Sequence, residues 1–217
     1  MIKNFVAASA IVCAGTATAH AATLVDQSFN PGAPVDGAHF SEGGFQVFDD
    51  FSLSSASNLW RLTFWGVHWT SGVEPNPLDF AIQVYNDAAG ALGSLIADVS
   101  FTMVSNTDTG VDHNGLAGAD IREYTLTFDS VLSLGAGDYW LSVYHDTDAQ
   151  GTTFAWQRSS TTGSYLQNTS VKGGETAFLL EDDEALGVVP LPAAGWMLLT
   201  ALGALGAASR RKRNKSA

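Results

Sequence analysis

Apolar and polar residues alternate with a period of two along most of the chain between its two ends. Successive side chains of a β-strand point to opposite faces, so this alternation is typical of strands that bury one face. In DYWLSVYH, for example, Tyr139, Leu141 and Val143 share a face. No segment of this central part has a persuasive helical stripe. The pattern therefore restricts the body of the protein to an all-β fold.

Eight segments are predicted to be strands: 44–53, 59–70, 78–85, 95–104, 121–128, 138–145, 152–158 and 175–180. Turn-forming residues separate them, such as Pro75-Asn76-Pro77 and Gly135-Ala136-Gly137. Eight to ten short strands with polar turns predict a single antiparallel β-sandwich, and a jelly roll is the preferred version.

In the segment 59–70 the apolar positions change register. Trp60, Leu62 and Phe64 share one face, whereas Trp65, Val67 and Trp69 share the other. Gly66 is interpreted as a bulge at this change. Since one sandwich has a single core, we expect some of these tryptophans to lie at an edge or on the surface.

Several strand segments resemble, taken together, uncharacterised sandwich domains of exported bacterial proteins. The resemblance is carried by DFSL at 50–53, FWG at 64–66, DFAIQVYND at 79–87, GDYWLSV at 137–143 and FAW at 154–156. It supports the sandwich fold and implies no activity.

The N-terminus has the three parts of a secretory signal peptide. Lys3 is the positive residue, Phe5–Gly15 is a short apolar run, and Ala19-His20-Ala21 fits the small-x-small cleavage rule. Cleavage is predicted after Ala21. The apolar run is too short to span a bilayer of ~30 Å.

The C-terminus combines a proline motif, an apolar segment and a basic end. The motif is Val189-Pro190-Leu191-Pro192-Ala193, and residues 193–208 contain no charge. As a helix these would extend roughly 24 Å at ~1.5 Å per residue, which is marginal for a transmembrane helix unless flanking residues extend it. The basic residues Arg210, Arg211, Lys212 and Arg213 follow and are expected to stay in the cytoplasm as a membrane stop.

This three-part end resembles the VPLPA-type variant of the PEP-CTERM sorting signal. The resemblance implies an exported protein of a Gram-negative bacterium, anchored first in the inner membrane and processed near the proline motif by an exosortase. It also implies an association with extracellular polysaccharide, and it covers only the last residues of the chain. Leu191 stands where the parent motif has an acidic residue, so the exosortase subtype is open, and a simple tail anchor is the alternative.

Charge excludes one class of partner. Between the two signals lie 22 acidic but only four basic residues, a net charge of −18. Such a surface repels phosphate backbones, so no nucleic acid partner is expected. The only cysteine, Cys13, lies in the signal peptide. The mature domain therefore has no disulfide, cysteine nucleophile or thiolate metal site.

Two constellations are candidates for binding. Trp65, His68 and Trp69 lie close together at the end of a strand, and aromatic rings stack on sugars, so they form a candidate glycan platform. The alternative is that these indoles fill the core.

Acidic loops are weak candidates for a calcium site, because calcium prefers carboxylate and carbonyl oxygens. The candidates are Asp108 and Asp112 in the predicted loop 106–114, and Asp146 and Asp148 in the loop 146–150. Neither loop matches the twelve-residue calcium-loop spacing, and ordinary turns use the same residues. The sequence has no HExxH motif or comparable histidine spacing that would support a zinc site.

No catalytic residues are assigned. The chain has no nucleophile elbow, phosphate loop or dinucleotide fingerprint, and adjacent carboxylates such as Asp49 and Asp50 mean little among 22 acids. The predicted organisation is a signal peptide (1–21), a sandwich domain (22–180), an acidic linker (181–188) and a sorting signal (189–217). The predicted function is a structural or adhesive role at the cell surface or in an extracellular matrix. The alternatives are a glycan-binding or calcium-binding module and, less favoured, a hydrolase.

Overall fold

The computed structural model describes residues 21–32, 37–69, 78–101, 105–113, 119–145 and 152–182. They belong to one compact unit, Ala21–Asp183. The strands are β1 (Ala22–Gln27), β2 (Ala38–Phe40), β3 (Val47–Leu53), β4 (Ser57–His68), β5 (Phe80–Asp87), β6 (Leu92–Phe101), β7 (Ser105–Asp112), β8 (Asp120–Leu134), β9 (Gly137–Tyr144), β10 (Phe154–Gln157), β11 (Ser164–Gln167), β12 (Ser170–Gly173) and β13 (Phe178–Asp182). The all-β prediction is confirmed for these residues.

The first sheet is built around the long strand β4. On one side β4 pairs with β8, which in turn pairs with β7. On the other side it pairs with β13 through Leu59–Phe64 and then with β10 through Gly66–His68. β1 extends the sheet beyond β13, and β2 extends it beyond β10. All of these pairings are antiparallel.

The second sheet has the order β12-β11-β3-β9-β5-β6, and it too is antiparallel. β12 and β6 are its end strands. The alternation predicted for its inner strands is confirmed, since Tyr139, Leu141 and Val143 of β9 are all buried in the main core.

One hydrophobic core receives side chains from both sheets, which is a sandwich-like arrangement. Phe64 of the first sheet contacts Phe80 of the second, with ring centroids 4.9 Å apart, and Phe51 contacts Phe178 at 6.4 Å. Aromatic rings at these separations add to the stabilisation that comes from burying their apolar area.

Residues 62–68 of β4 are buried on both faces. Of the three tryptophans expected to include some at an edge or on the surface, Trp65 is buried, whereas Trp60 and Trp69 keep partial exposure. Leu62 and Phe64 face the main core. Trp65, on the opposite face, packs with Ile121 and Ala177 in a separate outer cluster. Val67, on the same face as Trp65, packs with Ala119 and Ala155 in a further cluster. Small satellite clusters outside the sandwich thus cover the second face.

The predicted bulge at Gly66 is also wrong. The pairing of β4 with β8 shifts register between Leu59 and Arg61, whereas Gly66 keeps regular pairs with Arg122 and Trp156. A glycine is required at position 66 because a side chain there would collide with a neighbouring residue. A Cβ atom at residue 66 would lie 2.4 Å from Cε2 of Phe154, which is fully buried.

The predicted acidic linker begins too early at residue 181. Glu181 and Asp182 belong to β13, and Glu181 is buried. Its carboxylate accepts two hydrogen bonds from the Arg61 guanidinium, with Nη2 2.6 Å from Oε1. This bidentate pair stabilises the pairing of β13 with β4.

The segments with the strongest localisation signals lie outside the described residues. They are the signal peptide, the motif 189–193, the apolar segment 193–208 and the basic residues 210–213. In the part of the chain that is described, no helix is long and apolar enough to cross a membrane.

Gly66→Ala is expected to destabilise the protein by about 1–3 kcal/mol, because the added methyl group must displace the buried ring of Phe154. Urea unfolding of the two proteins measures the difference. Gly44→Ala is the matched control, because a Cβ atom there meets nothing within 4 Å. Equal losses of stability in the two variants would contradict the space requirement.

Candidate functional site

The candidate glycan platform does not form one open aromatic surface. Only 7% of Trp65 and 5% of His68 are exposed, so neither presents a free ring face to a sugar. Trp69 is half-buried and lies edge-on to Phe40, with ring centroids 5.2 Å apart. Its other ring neighbour is His113, at 5.9 Å. Of the three residues, Trp69 alone keeps appreciable exposure.

The predicted loop 106–114 is mostly strand, because residues 105–112 form β7 at the edge of the first sheet. Asp108 Oδ1 accepts a hydrogen bond from the backbone N–H of Gly110 at 2.8 Å, and Gly110 has a φ of 71°. The carboxylate therefore stabilises a local irregularity of the edge strand. Asp112 pairs with Asp120 across the ladder. Asp146 and Asp148 lie outside the described residues.

His68 belongs instead to a buried chain of polar groups. Its Nε2 lies 3.1 Å from Nδ1 of His145, and its Nδ1 lies 3.1 Å from the hydroxyl of Tyr124. The backbone N–H of Asp79 donates to Nε2 of His145 at 3.4 Å. That bond places the His145 proton on Nδ1, from where it is donated to His68, and His68 in turn carries its proton on Nδ1 toward Tyr124.

His68 is uncharged at physiological pH. Burial, and next the electrostatic effects of His145 and Arg122, lower the pKa of His68 to about 3. Aromatic rings surround the pair, with Phe80 centred 4.5 Å from His145 and Phe154 5.5 Å from His68. His68 thus serves as a hydrogen-bonded core residue rather than as a charged group.

A second polar group, which sequence reasoning did not identify as a site, lies where β3 and β11 separate. We call it the carboxylate cluster: Asp49, Asp50 and Glu175, which each offer an oxygen within 4.8 Å of the others. Asp49 is fully buried and Glu175 is 8% exposed, whereas Asp50 is exposed.

Local structure explains this placement. β11 pairs with β3 only from Gln167–Val47 to Tyr165–Asp49. Beyond that point the Glu175 carboxylate occupies the space beside Gly163, where a Cβ atom would lie 1.2 Å from Glu175 Oε1. Gly163 therefore makes room for the carboxylate.

Asp49 connects the two sheets. Its Oδ2 accepts hydrogen bonds from the backbone N–H and the hydroxyl of Thr176, the latter at 2.6 Å, just before β13 of the opposite sheet. Its Oδ1 accepts a further bond from the N–H of Asp50 at 3.1 Å. The carboxyl of Asp49 is thus well supplied with donors.

The electrostatics of the cluster are unfavourable to three negative charges. Burial, and next the neighbouring Glu175, raises the pKa of Asp49 well above its ordinary value. Burial also raises the pKa of Glu175. The pKa of Asp50 is raised by partial burial and by the charges of Asp87 and Asp138.

An open cavity of about 290 Å³ borders the cluster on the outer face of the second sheet. Asp50, Asp87 and Asp138 line it together with Trp140 and Ser164. The indole N–H of Trp140 donates to Asp87 Oδ1 at 2.8 Å, which orients that carboxylate. The cavity thus presents mainly acidic oxygens, because Trp140 is itself buried.

One signal in the sequence pointed toward this site. Asp49 shares the face of the alternating segment 44–53 with Val47 and Phe51, which are buried in the main core, so the alternation places a carboxylate at a core-facing position. Its partner Glu175 is distant in the chain, and nothing in the alternation links the two.

Known proteins supply no further guide, because the chain matches no family model, no curated protein and no solved structure.

The neutral His68 predicts a pH dependence of stability. Below its ordinary pKa of 6.5 the unfolded chain binds a proton at His68 that the folded protein refuses until about pH 3. The contribution of His68 is therefore complete above pH 6.5 and falls with pH by up to about 1.4 kcal/mol per pH unit.

Urea midpoints between pH 7.5 and 4 measure this effect, with His68→Gln as the comparison that cannot titrate. Wild type is expected to lose more stability than the variant as the pH falls. The carboxylate cluster titrates in both proteins, so its contribution to the pH dependence of stability cancels in the comparison. Parallel pH profiles would show that His68 is not held neutral by the fold.

Proposed function

We propose that this chain is an exported, non-catalytic protein with a structural or adhesive role at the cell surface or in an extracellular matrix. The signal peptide directs export, and the VPLPA-type end directs an inner-membrane precursor to an exosortase-like enzyme. The body that is delivered is an acidic, disulfide-free sandwich of jelly-roll type. Support for the jelly roll comes from the path of the chain, which crosses between the sheets from β3 to β4, from β4 to β5 and from β8 to β9.

The observation that carries the adhesive role is the pair of end strands of the second sheet, β6 and β12, each of which pairs on one side only among the described residues. End strands present backbone groups that can pair with a strand of another molecule. Both end strands carry exposed apolar residues, Leu95 and Ile96 on β6 and Val171 on β12. Two different edges of one sheet favour head-to-tail contacts, which extend into chains of molecules rather than closing into dimers.

Extracellular polysaccharide is the second candidate partner. Trp69 is the candidate stacking ring, because it keeps partial exposure whereas Trp140 beside Asp87 is only 5% exposed. Aromatic faces together with a few oriented polar groups are what sugar recognition requires.

The sorting proposal predicts two cleavages in the native host. Mass spectrometry of the mature protein is expected to show an N-terminus at Ala22 and loss of the segment that follows the motif 189–193. In a host that lacks its exosortase, the C-terminal cleavage should disappear while the N-terminal one remains. An intact C-terminus in the native host would leave only a simple membrane anchor.

The adhesive proposal predicts self-association that depends on the β6 edge. Ile96→Lys is expected to weaken association of the purified protein several-fold, measured by sedimentation over a range of concentrations, because a charge on the edge opposes strand pairing. Ser130→Lys, exposed on β8 of the other sheet, is the control for the added charge. A monomer at every concentration, or equal effects of the two variants, would refute edge association.

A further inference from the structure

We propose that the carboxylate cluster of Asp49, Asp50 and Glu175 is a binding site for a hard divalent cation of the calcium class. The inference is independent of edge association and of sorting. It stands on the geometry of the cluster, on one buried oxygen that has no hydrogen-bond donor, and on the cavity that leads to the site.

The buried oxygen is Oε2 of Glu175. Glu175 is more than nine-tenths buried, and no hydrogen bond reaches this atom. The nearby donors of Thr176 are both directed to Asp49 instead. Leaving a buried carboxylate oxygen without a partner is costly, so a positive group at this point would relieve a real deficit.

In the described part of the chain, no basic side chain supplies that positive group. The guanidinium of Arg158 lies against residue 174, and its Nε has no hydrogen-bond partner. Among the described residues, the ion pairs within 4.0 Å are Arg61–Glu181 and Arg122–Asp120, and neither involves the cluster. Three carboxylates within 4.8 Å of one another therefore lack a protein cation.

The chemistry of the available atoms selects the kind of ion. The cluster offers oxygen atoms only, which suit calcium or magnesium rather than zinc or copper. Asp50 connects the buried pair to the cavity, where Asp87 and Asp138 line the same space. Calcium accepts irregular sets of six to eight oxygens and completes them with water, so it fits a half-buried site better than magnesium does.

The competing explanation is a proton shared by Asp49 and Glu175. A shared proton would satisfy the buried oxygen and would remove one charge. The two explanations predict different effects of calcium, and of Glu175→Gln, on the melting temperature. One experiment therefore distinguishes them.

The test uses the full-length chain, purified in mild detergent and stripped of metal with a chelator. Terbium(III), which replaces calcium and emits when a nearby indole transfers energy to it, reports occupancy through Trp140. Calcium is then added in competition, and thermal unfolding is followed with calcium and with chelator at pH 7.5.

We expect terbium emission that calcium reverses, a melting temperature that calcium raises, and half-saturation at roughly 10⁻⁴–10⁻³ M as in extracellular calcium modules. Asp50→Asn and Glu175→Gln are each expected to weaken both responses at least tenfold. Asp108→Asn, which removes a carboxylate of β7 remote from the cluster in the sheet order, is the control and should leave both unchanged.

The proposal is overturned if calcium leaves the melting temperature unmoved. If Glu175→Gln also raises the melting temperature in chelator, a shared proton is the explanation. Equal loss of emission in Asp108→Asn and Asp50→Asn would also overturn it, since it would indicate diffuse attraction to an acidic surface. Should Glu175→Gln fail to fold, the exposed position of Asp50 keeps the comparison between Asp50→Asn and Asp108→Asn decisive.

Discussion

Burial of residues 62–68 of β4 on both faces is the constraint on which the rest of the structure depends. This strand hydrogen-bonds to β8, β13 and β10, and so joins the parts of the first sheet. Its inner face forms the sandwich core with Phe64, and its outer face is covered by the Trp65 cluster. Without a disulfide, stability must come from this burial and from the sheet hydrogen bonds. Because Gly66 has no side chain, the ring of Phe154 fits beside it. The same ring contacts the buried pair His68 and His145.

Two buried polar groups satisfy their atoms in different ways. The chain Asp79–His145–His68–Tyr124 can be completed by neutral donors and acceptors alone, so it adds hydrogen bonds to the core without adding charge. The carboxylate cluster cannot be completed in the same way. Carboxylates accept but do not donate, and the donors of Thr176 are used by Asp49. The carboxylate cluster therefore needs a cation or a proton to complete it, whereas the histidines need neither.

The acidity of the body connects the proposals of adhesion and cation binding. A net charge of −18 opposes close approach of two copies, whereas the apolar residues at both ends of the second sheet favour it. A divalent cation bound beside Asp50 would reduce that repulsion on the face of the same sheet. The two properties rest on separate residues, and the experiments above measure them separately.

The sequence by itself determined that the body is made of strands and which residues of most strands face the core, because a period of two follows from strand geometry alone. It also contained the charge and the absence of cysteine after residue 13. Pairing partners, the cover over Trp65, and the meeting of Asp49 with Glu175 were decided only by the tertiary structure. Those contacts join residues far apart in the chain, and alternation records which face a side chain takes but not what lies opposite it. The short strands β2, β11 and β12 were missed for the same reason, since three or four residues carry too little periodicity to be recognised without their neighbours.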